Sequence, residues 1–167
     1  MNLRLRSAII ILLVVILDRV SKLYIRSSFA AWDVTVVIPG IFNIVHAENP
    51  GAAFSMLAEA PPIVRAVLLV GVSMVVMVIV GVMLWRLPGN ASWLMSTSLA
   101  LVFGGALGNL WDRVFRGSVT DFVQVFIGSY EFPAFNVADS AITVGAALLV
   151  LELLKSRKPG DSLEQSR

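Results

Sequence analysis

The sequence predicts an all-α membrane protein, with four transmembrane helices and a small extracytoplasmic β-sheet between helices 1 and 2. Three observations carry this. Of 167 residues, 57% are hydrophobic and only 14% charged, whereas soluble domains average under about 50% and about 25%. The mean hydropathy is +0.85. Apolar stretches long enough to cross a ~30 Å hydrocarbon core occupy about residues 7–26, 63–85, 92–111 and 134–154.

In chain order, the first span follows Arg4 and Arg6 and resembles a secretory leader. Asp18, Arg19 and Lys22 interrupt it before the cleavage-like triplet Ser28-Phe29-Ala30, so it is read as retained. The extracytoplasmic β-region covers about residues 32–57. Val34–Ile38 and Ile41–Val45 are β-type runs joined by Pro39-Gly40, and Asn49-Pro50-Gly51 marks a turn. Arg65 is the one charge of the second span. Trp93 and Trp111 bracket the third; 18 positions of helix separate them by about 27 Å, which places one tryptophan at each interface. The fourth span leads into a polar tail, residues 156–167, expected to be disordered. Residues 1–155 read as one membrane-embedded domain.

An even number of spans puts both termini on one side. Arg4, Arg6, Arg86, Lys155, Arg157 and Lys158 lie on that side, and residues 27–62 carry no Lys or Arg. The positive-inside rule makes the termini cytoplasmic. Arg113 and Arg116 fall on the outer side against that bias.

Composition removes several chemistries. With no cysteine there is no thiolate nucleophile, disulfide or cysteine metal site. His46 is the single histidine, so a multi-histidine metal site is excluded, and neither metal nor cofactor is expected. A net charge of +2 gives no electrostatic footprint for nucleic acid. Membrane lipids are the expected surroundings.

Ionisable groups at membrane depth cost roughly 2.5–3.5 kcal/mol each unless they face partners. They form three stripes with helical spacing: Asp18, Ser21 and Lys22; Gly105, Gly108, Asn109 and Asp112, continued by Arg113 and Arg116; and Asn136, Asp139, Ser140 and Thr143. All three lie toward the outer ends of their spans and can converge on one outward-facing pocket. Asp121, just past the third span, can fold back onto it. Plainer readings stand beside this one. Asp18 and Lys22 can be a simple i, i+4 ion pair, and Asp112 with Arg113 and Arg116 an interface cluster with snorkelling arginines. Gly104, Gly105 and Gly108 can be packing devices. His46 reads as structural for want of an obvious partner, and Ser140 as a hydrogen-bond partner for want of a base to activate it. Asp139, one turn inside an apolar helix, reads as functional. A proton-coupled transporter or a non-catalytic assembly subunit fits the same stripes. The cytoplasmic halves, almost wholly apolar, argue against a through-path.

Two neighbouring carboxylates permit metal-free hydrolysis. Like charges cannot both ionise easily, so the pair shares a proton: one member acts as general base on water while the other stabilises the tetrahedral intermediate.

Five blocks, in order over about residues 10–152, resemble the bacterial lipoprotein signal peptidases, or signal peptidase II: DRVSK (18–22), NPGAAF (49–54), GGALGNLWDR (104–113), VTDF (119–122) and FNVADS (135–140). The resemblance implies a multi-pass aspartyl endopeptidase of the bacterial cytoplasmic (inner) membrane. It implies a site near the extracytoplasmic face that cleaves prolipoproteins just before the diacylglyceryl-modified cysteine. By motif position it makes Asp121 and Asp139 the catalytic pair. Asn49, Gly51, Asn109, Arg113 and Asn136 line or support the site, with Asp18 and Lys22 in a structural or substrate-gripping role. Lipid-modified prolipoproteins are then the substrates, the cyclic peptide globomycin an inhibitor, and a monomer the expected state. Arg19 departs from the glutamine expected in many relatives.

Overall fold

The computed structural model describes residues 2–51 and 61–156. The sequence expectations for Ala52–Phe54, for the last part of the 32–57 β-region and for the tail from residue 157 lie outside the described residues. The elements run α1 (Leu3–Ser28), β1 (Val34–Ile38), β2 (Phe42–Asn49), α2 (Pro62–Arg86), α3 (Trp93–Arg116), β3 (Val119–Ile127), β4 (Tyr130–Phe135) and α4 (Val137–Ser156).

Local chemistry explains the helix ends. The Asn2 side chain caps α1 by accepting from the Arg4 N–H at 3.0 Å, and Ser92 caps α3 by accepting from Leu94 at 3.1 Å. Pro62 opens α2, where its missing N–H has no helical partner to lose. Gly117 closes α3 in the left-handed region, φ 78°.

Among the described residues, three helices are long and apolar enough to cross a membrane: α2, α3 and α4. α1 has 26 residues, about 39 Å, but Asp18, Arg19 and Lys22 break its apolar run.

The sheet differs from the expectation. It has four antiparallel strands in the order β1-β2-β3-β4, so half of it comes from between α3 and α4. Asp121, expected in a loop, lies on β3 opposite Ala47. Long-range pairing of β2 with β3 is what draws residues 119–127 into a strand, and no local pattern encodes that partner. α3 also runs past Trp111 to Arg116, and α4 starts at Val137 rather than near residue 134.

α3 is the central helix and packs on α1, α2 and α4. Its small residues set the distances. A Cβ on Gly105 would clash with the Ala138 carbonyl oxygen, and one on Gly108 would meet Asp18 Oδ2 at 2.7 Å. These glycines admit α4 and α1 to near backbone contact. Gly105→Ala therefore overpacks the α3–α4 seam. It should cost roughly 1–3 kcal/mol, read as a lower thermal midpoint in detergent; an unchanged midpoint would contradict the packing.

Candidate active site

The polar stripes of α1, α3 and α4 converge at one end of the bundle, where β2 and β3 cross it. Lys22 is fully buried, and its ammonium meets three acceptors: Asp18 Oδ2 at 2.8 Å, Asp112 Oδ2 at 2.9 Å and Asn109 Oδ1 at 3.1 Å. Three N–H donors thus find three oxygens. Asp18 Oδ1 takes the Ala138 N–H at 3.0 Å, one of the free donors at the start of α4. Asp112 also receives Arg19, with Arg26 Nη1 at 3.6 Å. Asp112 is therefore a buried centre joining α1 to α3, not an interface cluster with snorkelling arginines.

Two further carboxylates stand beside this network. Asp139 Oδ1 accepts from Asn109 Nδ2 at 2.7 Å. Asp121 is 4% exposed and accepts from Asn136 Nδ2 at 2.7 Å and from Asn49 Nδ2 at 3.1 Å. Asn136 joins the two. Its Oδ1 accepts from the Asp139 N–H at 2.9 Å, while its own N–H donates to Asp139 Oδ2 at 3.3 Å. That reciprocal pair is a capping box at the start of α4. The Asn136 side-chain amide also donates to the Thr120 carbonyl at 3.4 Å. Asn49 uses its Oδ1 to accept the Gly51 N–H at 2.9 Å, which shapes the Asn-Pro-Gly turn. The Gly51 carbonyl in turn accepts from Arg113 Nη2 at 3.4 Å. Arg113 interacts electrostatically with both Asp139 and Asp121.

All nine residues singled out from the sequence thus share one connected cluster. Two other members of the stripes bring no side-chain contact to either carboxylate. Thr143 is exposed, and Ser140 spends its hydroxyl on the Asn136 carbonyl at 2.9 Å.

His46 is not without partners: Nδ1 faces the Phe29 carbonyl at 2.9 Å and Nε2 faces Glu48 at 3.2 Å. Glu48 also accepts from Ser118 at 2.6 Å and Thr120 at 2.9 Å. Burial pushes the Glu48 carboxyl up, but these donors outweigh it and hold it below its usual range. Sequence reading missed Thr120, Glu48 and the depth of Asp112. The spacing of Asp112 from Asn109 was the one signal available.

Burial, followed by the charge of Asp139, pushes the Asp121 carboxyl up to about 7; the amides of Asn49 and Asn136 pull the other way. The arrangement is therefore a pair of interacting carboxylates in which one holds its proton near neutrality. Such a pair can activate a water and shuttle a proton.

The description signal peptidase (SPase) II belongs to a family model that matches residues 10–155. The chain is 47% identical over 155 residues to the lipoprotein signal peptidase of Pseudomonas fluorescens strain Pf-5, covering 90% of this chain and 88% of that protein. It is 42% identical over 148 residues to the lipoprotein signal peptidase of Syntrophus aciditrophicus, covering 87% and 90%. Two bacterial membrane enzymes solved by the in meso method at 2.3 and 1.9 Å share the fold, with TM-scores of 0.80 and 0.77 and identities of 32% and 34%. The first covers 93% of both chains, and the second 90% of this chain and 93% of its own. Fold and family define a membrane-embedded peptidase. The chain belongs to the signal peptidase II family.

Two outcomes follow. Lys22→Met leaves Asp18 and Asp112 buried without their shared cation and should cost about 3–5 kcal/mol, seen as loss of folded protein in detergent or a large fall in thermal midpoint. Asp121 binds its proton more tightly folded (about 7) than at its ordinary value of 3.8. Stability should therefore fall as pH rises from about 4 to about 7, by at most on the order of 4 kcal/mol, and then level off. Thermal unfolding across that window should lose this slope in Asp121→Asn; an identical slope in both proteins would refute the raised value.

Proposed function

We propose that this chain is an aspartic endopeptidase that removes signal peptides from prolipoproteins by cutting just before the lipid-modified cysteine, with Asp121 and Asp139 as its catalytic pair. One observation carries the reading: a single asparagine, Asn136, hydrogen-bonds both carboxylates. The substrate comes from the relatives, whose names are lipoprotein signal peptidases.

In the resting state Asp121, the more buried member, holds the shared proton, and Asp139 is the ionised base. Asp139 takes a proton from water as the water oxygen bonds to the scissile carbonyl carbon. Asp121 donates its hydrogen bond to the carbonyl oxygen, where negative charge develops. When the C–N bond breaks, the proton on Asp139 passes to the leaving amine of the modified cysteine. Arg113 supplies positive charge beside both carboxylates.

α1 serves as a fourth span in this reading. Asp18 and Lys22 face inward and are fully buried, whereas Leu12, Leu13, Ile16, Leu17, Val20 and Leu23 are exposed, as a lipid-facing surface requires. Both termini then lie in the bacterial cytoplasm and the site near the extracytoplasmic face, at the depth of a lipid-anchored scissile bond. Both carboxylates come from one chain, which supports a monomeric enzyme. Globomycin should inhibit it.

Purified Asp121→Asn and Asp139→Asn proteins, assayed on a lipidated prolipoprotein, should stay folded and lose at least 10³-fold in kcat, a factor equivalent to about 4 kcal/mol of transition-state stabilisation. The wild-type profile of kcat/KM against pH should be bell-shaped, with its alkaline limb near the Asp121 value of about 7. Substantial turnover by either variant removes that residue from the pair.

A further inference from the structure

A sizeable cavity lies away from the carboxylates. It holds about 470 Å³ between the first turns of α1 and the last turn of α2, with Phe103 and Gly81 lining it from α3 and α2. That volume is within the ~300–1,000 Å³ of small-ligand sites. Its α1 wall runs Arg4, Ser7, Ala8 and Ile11, some 16 Å of helix from Asp18 at the Ser7 level. The groove exists because α2 packs on α3 and scarcely touches α1.

We propose that this groove binds one anionic phospholipid of the leaflet that faces the chain termini, with an acyl chain along Ile11, Leu84 and Phe103 and the phosphate on Arg4. The Arg4 guanidinium lies 5.2 Å from the centre of the Trp85 ring. A guanidinium held over an aromatic ring keeps N–H donors that can take a phosphate through two hydrogen bonds. Among the described residues, Arg4, Arg6 and Arg86 enter no ion pair. This end of the bundle therefore presents unneutralised cations around an apolar slot. Ser7 points to a ligand independently: it is 8% exposed, lines the groove, and its hydroxyl has no hydrogen-bond partner among the described residues. An unmet hydroxyl one turn from Arg4 suits a phosphate or glycerol ester oxygen. Trp85 and Trp93 mark this end as headgroup depth.

The full chain, purified in detergent, is mixed with phosphatidylglycerol or phosphatidylcholine of equal acyl length, and retained lipid is counted by native mass spectrometry. Wild type should retain phosphatidylglycerol at least fivefold over phosphatidylcholine. Arg4→Gln should lower phosphatidylglycerol retention about fivefold, the factor expected for one arginine at an anionic headgroup. Ala8→Phe, which fills the slot from its exposed side, should lose both lipids. Each variant should still cleave a lipidated precursor, which shows that it is folded. Equal retention of the two lipids by wild type, or an unchanged preference in Arg4→Gln, overturns the proposal. So does a wild type that refuses phosphatidylglycerol while Asp161→Asn/Glu164→Gln gains it, because the groove would then belong to the chain's own acidic tail residues.

Discussion

Three asparagine carboxamides organise this molecule, and each is divided the same way. The oxygen is tied to the scaffold: Asn49 to the Gly51 N–H, Asn109 to Lys22, Asn136 to the Asp139 N–H. The amide NH2 is left to hold a carboxylate: Asp121 from Asn49 and Asn136, Asp139 from Asn109. Because each oxygen faces an N–H that can only donate, the orientation of every amide is fixed. The carboxylates are thereby placed by neutral donors. That matters chemically. A lysine or arginine hydrogen-bonded in the same positions would pin both aspartates as anions and abolish proton sharing, whereas an amide orients a carboxyl group with a much smaller effect on its charge.

The fully buried cation is one layer further back. Lys22 touches Asn109, which touches Asp139, so the buried charge reaches the site through an amide. Its cost is high, since a buried ammonium and two buried carboxylates are stable only if every donor and acceptor is met. Lys22 meets that condition with three acceptors, and Asp18 meets it by also receiving Ala138 at the head of α4. The same contact fixes where α4 begins, and with it the position of Asp139. Gly108 leaves the space that Asp18 needs. Helix packing, ion pairing and site geometry are one construction here, and a change at any of them moves the others.

How much of this the sequence discloses depends on the range of the interaction. Helices α2, α3 and α4 are visible as apolar runs, because burial in lipid is written in composition. Helical spacing also puts Asn109 with Asp112 and Asn136 with Asp139 on common faces. What stayed hidden was contact between distant segments. Lys22 and Asn109 are 87 positions apart and Asn49 and Asp121 are 72. The run Val119–Ile127, followed by Gly128-Ser129, is rich in β-branched and aromatic residues, but Asp121 and Gln124 break its alternation. It becomes a strand because β2 offers it an edge. Asp121 accordingly looked like a loop acid until resemblance, not periodicity, gave it a role. His46 looked unpartnered because Phe29 and Glu48 are brought to it by the sheet.

The two ends of the bundle are built on opposite terms. At the carboxylate end Asp121 and Asp139 are each held by asparagine donors, and the strands β2 and β3 fasten the helices together. Such an end is stiff, as catalysis by fixed dipoles requires. At the other end α1 and α2 part, and among the described residues Arg4 and Arg6 lie over tryptophan rings without acidic partners and the Ser7 hydroxyl has no hydrogen-bond partner. Protein chemistry alone would not leave that end so unfinished. A bilayer supplies what is missing, since lipid tails can fill an apolar slot and phosphates can meet arginines. On this view the membrane is part of the structure at one end and is held away from the chemistry at the other. The rigid end is then the one where the proposed chemistry takes place.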